Sequence, residues 1–166
     1  SAYTGGATLA AAAAGASVCH ADASKGMTQW ARENAASSGL ADRPIRWIVD
    51  DCKKFVQREI RRGRKYDAII MDPPSYGRGP SGGTWKIEED VADFVKLTME
   101  LLSDHPLFVL ISSYSTGLAP SVMAYLLGIT ARVQHDGYIE AQELGLPVQS
   151  TGLVLPCGSS ARFVGK

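Results

Sequence analysis

Apolar and polar positions along the chain fall into a two-part rhythm. Short runs of β-branched and other apolar residues alternate with longer stretches whose apolar residues recur at helical spacing. Thr4-Gly5-Gly6 leads into an alanine helix over Ala7 to Ala14, which Gly15 ends. Ser17 to Ala21 is strand-like and stops at Asp22; Ser24 then caps an amphipathic helix that runs through Ala36 to a Ser37-Ser38-Gly39 stop. Ile45 to Val49 predicts the next strand, followed by Asp50-Asp51 and a helix over Lys53 to Arg62 that carries Phe55, Val56 and Ile60 inward. Tyr66 to Met71 predicts a buried strand ending at Asp72-Pro73-Pro74, after which a loop rich in Gly and Pro runs to the region of Thr84. Glu88 to Leu102 is helical by period, Leu107 to Ile111 is a strand and Ala119 to Leu127 a helix. The tail reads as β-rich, through Val133, Tyr138 and Ile139, then Gly152 to Leu155 and Arg162-Phe163-Val164.

Strands alternating with helices pair in parallel through right-handed crossovers, with helices on both faces of one sheet. The expected fold is therefore α/β, a doubly wound, mostly parallel sheet with a β-rich hairpin at its C-terminal end. In such sheets the ligand crevice lies beyond the carboxyl ends of the strands, which places Asp22, Asp50-Asp51 and Asp72-Pro73-Pro74 along one edge. The chain has 166 residues, enough for one core, so 1–166 reads as a single domain. Lys plus Arg number 17 and Asp plus Glu 17, so no global field concentrates a polyanion, and any such site is a local patch or lies outside this chain. Cys19, Cys52 and Cys157 are too few and scattered for a disulfide framework or a zinc site, and a reducing, cytoplasmic setting fits them best. No apolar run approaches the ~20 residues that span a bilayer.

A glycine-rich turn entering a helix lets a ligand approach the backbone and offers it the free N–H groups of the first helical turn. Thr4-Gly5-Gly6 is such a turn, although tight glycine turns also occur for packing alone. Asp22 lies 16 residues beyond Gly6, close to the spacing of about 20 at which a strand-end carboxylate accepts from a ribose diol. Turn and acid together favour an adenosine-containing cofactor. After Asp72, two successive prolines lack N–H groups and fix φ, so the backbone carbonyls are expected to aim rigidly into the crevice, where a planar amino group can be held.

These segments resemble the motifs of class I S-adenosylmethionine-dependent methyltransferases along the whole chain. Tyr3-Thr4-Gly5-Gly6 is similar to the end of motif I, Asp22-Ala23-Ser24 to the ribose-binding motif II, Val49-Asp50-Asp51-Cys52 to the adenine-binding motif III and Asp72-Pro73-Pro74-Ser75-Tyr76 to motif IV. The run at 72–91, DPPSYGRGPSGGTWKIEEDV, most resembles the branch that methylates bases of large-subunit ribosomal RNA. The resemblance implies S-adenosylmethionine as cofactor, no metal and an RNA base, in 23S ribosomal RNA, as substrate. It implies that backbone at Tyr3, Thr4 and Gly5 approaches the methionine part of the cofactor. Asp22, with Ser24 nearby, would bind the ribose, Asp51 the adenine amino group, and Cys52 would offer its N–H to the ring. Asp72, Pro73, Pro74 and Tyr76 would line the place where methyl donor and target meet, in a direct displacement that needs mainly proximity and orientation.

Two departures qualify the expectation. Tyr3 stands where motif I usually has a glycine. Carbon-5 cytosine methylation needs a cysteine nucleophile, and the places where related enzymes carry it hold Ser75 and Ser112-Ser113-Tyr114-Ser115 here. Cys19 and Cys157 read as structural, so a nitrogen target is favoured. Arg58, Arg61, Arg62, Arg64 and Lys65 can touch phosphates, but cations also suit a helix C-terminus. Arg78, Trp85 and Lys86, with Tyr76, are placed to clamp or stack a splayed base; Trp30 and Trp47 read as core or pocket wall, and His20, His105 and His135 carry no catalytic role. The alternative to an enzyme is an RNA-binding or ribosome-assembly module with a vestigial cofactor pocket. Finally, a domain of this class opens with a central strand feeding the glycine turn, so the resemblance predicts that a preceding region supplies that strand, and with it an RNA-binding domain.

Overall fold

A computed structural model describes residues 2–78, 84–115 and 118–166. Helix α1 (Gly6–Ala13) is followed by β1 (Val18–Asp22), α2 (Lys25–Ser37), β2 (Ile45–Val49), α3 (Cys52–Arg61) and β3 (Ala68–Met71). Two short strands, β4 (Tyr76–Arg78) and β5 (Thr84–Lys86), precede α4 (Ile87–Met99), β6 (Phe108–Ser113), α5 (Pro120–Ile129), α6 (Ala131–Gln134), β7 (Gly137–Val148) and β8 (Leu153–Gly165). The helix starts follow the expected capping chemistry: Ser24 Oγ accepts from Met27 N at 3.2 Å and Asp51 Oδ1 from Lys54 N at 3.0 Å.

The expected α/β alternation is present, with its parallel strands in two separate sheets. β1 pairs in parallel with β2, Asp22 lying opposite Val49, while β3 pairs in parallel with β6 in a separate sheet of order β3-β6-β8-β7. Among the described residues no strand lies between β1 and β3, so hydrogen bonding does not join the two sheets. They are joined by packing instead. Phe55, Val56 and Leu101 form a small core against Cys19, Ala21 and Ile48 from the first sheet and Tyr66 and Ile69 from the start of the second. The larger core lies under α4 and α5, where Ile87, Val95, Met99, Met123 and Leu127 meet Val109, Ile111 and Phe163.

Two readings of the pattern are corrected. The stretch after motif IV is not all loop, because β4 and β5 form an antiparallel pair, Gly77 opposite Trp85; residues 79–83 between them lie outside the described residues. Val133 belongs to α6 and not to a strand. The rest of the tail is a single long hairpin in which β8, the last strand, inserts between β6 and β7.

Candidate active site at the carboxyl ends of the strands

Asp22 ends β1 and gathers the segment around it. Its carboxylate is buried, with Oδ2 accepting from Ala2 N at 2.9 Å and Tyr3 N at 3.0 Å, and Oδ1 from Ser24 N at 2.8 Å. Charge-assisted bonds of this kind are the strong ones, so one carboxylate ties the glycine turn to the start of α2. Asn34 of α2, which no motif flagged, holds the turn from the other side, its Nδ2 donating to Thr4 O at 2.9 Å.

The turn itself is left-handed twice. Gly5, at φ 91°, is the N-cap of α1, and a Cβ there would come within 3.0 Å of Ala31 Cβ, so only glycine fits. Tyr3, at φ 49°, takes the same region without glycine's freedom. It occupies the place where the motif usually has glycine, and its side chain is exposed.

At the end of β2, Asp50 Oδ1 accepts from Asp51 N at 2.8 Å and Arg58 pairs with the Asp50 carboxylate. Asp51 caps α3, its Oδ1 accepting from Lys54 N. Cys52 sits beside both acids and Asp22, its thiol 3.9 Å from Ala21 O, and burial followed by these carboxylates pushes its pKa up. Both effects favour the protonated thiol. The structure thus brings Tyr3, Thr4, Gly5, Asp22, Ser24, Asp51 and Cys52 to the carboxyl end of the β1–β2 sheet.

Asp72, Pro73, Pro74 and Tyr76 occupy the matching end of β3. Asp72 is open to solvent, yet partial burial of its carboxyl holds its pKa above the ordinary range. The expectation for the Pro74 carbonyl is corrected: it accepts from Trp85 Nε1 at 2.6 Å and faces the loop, not the crevice. Trp85 is in turn half-buried, edge-on to Phe94 at 5.7 Å, so its indole is a strap on motif IV and not a free stacking platform. Lys86 pairs with Glu89. Ser115 Oγ donates to Ser75 Oγ at 2.6 Å, linking motif IV to the segment after β6. Tyr76 and Tyr114 flank that link, and both are exposed.

Other candidates fall elsewhere. Of the basic cluster, Arg58 pairs with Asp50 as above, and the rest lies where α3 terminates. There Arg62 pairs with Glu59 and Lys65 Nζ donates to Glu100 O. Trp30 is exposed, which removes core from its two expected places, core or pocket wall, whereas Trp47 is half-buried against His20, ring to ring at 5.0 Å, with the Arg32 guanidinium over it. His20 is buried and shares a hydrogen bond with Thr8, and burial lowers its pKa despite Asp22, which keeps it neutral. Cys157, read as structural, lies in β8 and is exposed. Among the described residues no cluster of side chains could hold a metal ion, and no helix is long and apolar enough to cross a membrane.

No family model matches the chain. It is 34% identical over 103 residues to the ribosomal RNA large subunit methyltransferase K/L of Methylococcus capsulatus, a match that covers 61% of this chain and 14% of that protein. The corresponding protein of Marinobacter nauticus is 34% identical over 116 residues, covering 68% of this chain and 16% of the relative. The chain therefore spans about a seventh of the curated relatives' length. The crystal structure of a SAM-dependent methyltransferase from Agrobacterium tumefaciens superposes with a TM-score of 0.90 at 37% identity, covering 99% of this chain and 54% of that one. In sequence and in fold, the chain belongs to the class I S-adenosylmethionine-dependent methyltransferases.

Proposed function

We propose that this chain is the S-adenosylmethionine-binding domain of an enzyme that transfers a methyl group to a base of RNA, in 23S ribosomal RNA, at a nitrogen. The observation that carries the reading is the construction around Asp22: a buried strand-end carboxylate binds the backbone of a left-handed glycine turn, with Asp51 and Cys52 next to it and Asp72 at the end of β3. Such a turn leaves the amino end of α1 open to the polar amino-acid part of the cofactor, and the acids accept from ribose and adenine. The likeness to the Agrobacterium SAM-dependent methyltransferase supports the cofactor, and the ribosomal RNA methyltransferase relatives support the substrate class.

In the transfer, the cofactor when bound supplies a sulfonium methyl, and the target nitrogen's lone pair displaces the thioether. The chain's work is to place the two in line and to accept the proton that the methylated nitrogen releases. Asp72, with its raised pKa, is placed to orient an amino group at the end of β3. Nitrogen is favoured because Ser75 and Ser112, Ser113 and Ser115 stand where a carbon-5 enzyme needs a thiol.

Titration calorimetry of the full-length protein with S-adenosylmethionine tests the cofactor, and no heat at millimolar concentration would refute it. Mapping of 23S RNA from a deletion strain tests the substrate. One methyl group on a base nitrogen is expected to disappear; cofactor binding with no methyl lost from any RNA would point to the vestigial-pocket alternative.

A further inference from the structure

We propose that the outer half of the β7–β8 hairpin and the outward face of α5 form the interface of a twofold dimer of this protein. β6 ends at Ser113, opposite Ser159 of β8, so the hairpin from Leu144 to Cys157 continues past the body of the sheet with only its own two strands for company. Leu146, Leu153, Val154 and Leu155 on this arm are 59%, 69%, 63% and 56% exposed. The register sets Leu146 opposite Leu155 and Val148 opposite Leu153 on one face, and Pro147 opposite Val154 on the other. Both faces are therefore apolar. From Leu144 to Ala161 there is no charged residue.

α5 has the same character. Met123, Leu126 and Leu127 point into the core, yet Val122, Tyr125 and Ile129 on its other side are exposed at 42%, 67% and 51%. A helix that is apolar all round is normally a buried one. From Pro106 to Ala131 the chain again carries no Asp, Glu, Lys or Arg. α5 packs on β7 and β8, and its N-terminal end follows β6, beyond whose end the arm leaves the sheet.

The occupant follows from charge, edge geometry and size. An uncharged apolar surface gives RNA phosphates nothing to bind, whereas a neutral surface meets a copy of itself without like-charge repulsion. β7 is the outermost strand, with one long edge unpaired by any described strand, and such edges are templates for another strand. Antiparallel pairing of the uncharged Leu144–Val148 stretches of two β7 strands about a twofold axis perpendicular to the sheet closes on itself, leaves Glu140 and Glu143 outside the paired stretch, and keeps the two α5 helices on the same face. Arm and stripe, with Val133 and Tyr138, supply roughly twenty residues, the low end of what one side of a standard interface uses.

Sedimentation of the full-length protein is expected to give twice the chain mass. Two variants separate this from misfolding. Leu146→Lys with Leu155→Glu places opposite charges across the hairpin, and Tyr125→Glu with Ile129→Lys places them one turn apart on α5; both arrangements suit the monomer and expose charge in the interface. Each is expected to weaken dimerisation at least roughly tenfold while the circular dichroism spectrum stays the same. A wild-type protein that sediments as a monomer at every concentration overturns the proposal, as do variants that dimerise like wild type. So does a monomer that floats with phosphatidylglycerol vesicles, because the arm would then be a lipid anchor.

Discussion

Asp22 shows how much one side chain can organise. It was legible in the sequence as an acid ending a strand, and the ribose-binding role expected for it rests on that position. What the sequence did not disclose is that three backbone N–H groups, from Ala2, Tyr3 and Ser24, converge on its two oxygens. Asp22→Asn keeps one acceptor and loses the charge, which is expected to cost about 2 kcal/mol of stability and to weaken S-adenosylmethionine binding. Thermal melting and calorimetry on the same preparation check both effects. Asn34 was invisible because its contact with Thr4 joins residues 30 positions apart with no motif between them. Cys157 offers the complementary test at this scale. It is the exposed thiol among the described cysteines, so Cys157→Ser is expected to leave methyl transfer unchanged, whereas a carbon-5 mechanism running through it would be abolished.

Among elements, helix starts and strand ends were easily read, because Ser24, Asp51 and the acids after each strand mark boundaries by local chemistry. Short-range pairing was not. The β4–β5 pair has three residues on each side and no alternating pattern, and what stabilises it is a contact eleven residues long in sequence, Trp85 Nε1 to the Pro74 carbonyl. Trp85→Phe keeps the edge-on packing with Phe94 and removes the hydrogen bond. It is expected to lower stability by about 1 kcal/mol and, by loosening motif IV, to reduce kcat while the affinity for S-adenosylmethionine stays within error. Equal losses in both would indicate that the strap supports the cofactor site and not the site of transfer.

Across the whole molecule, the connection between the two sheets is the part that sequence reasoning missed. Glu59 sits in a run of charged residues on α3 and reads as one more solvated side chain, yet it is fully buried. Arg46 of β2 donates to it at 3.1 Å, Arg62 at 3.3 Å, and Tyr66, just ahead of β3, at 2.5 Å. Burial alone would raise its pKa, but the bonds from Arg46 and Tyr66 and the Arg46 charge outweigh burial and hold it down to about 2. A carboxyl depressed from its usual 4.5 contributes stability that is complete above that value and is lost as pH falls toward about 2. Glu59→Gln is therefore expected to melt well below wild type at pH 7, by about 3 kcal/mol, with the gap closing between pH 4.5 and 2. A gap that is constant over this range would mean that folding does not lower the carboxyl's pKa.

The placing of β8 between β6 and β7 also dictates an order of assembly. β8 follows β7 in the chain but lies between it and β6, and its Phe163 and Ala161 complete the larger core. β7 has no other described strand partner, so it cannot add to the growing sheet before β8 exists. The two strands are joined by a short turn, and hairpins of this kind close within microseconds, long before distant parallel pairs find each other. The hairpin therefore docks onto β6 as a preformed unit, and on the ribosome the larger core stays open until Phe163 has emerged.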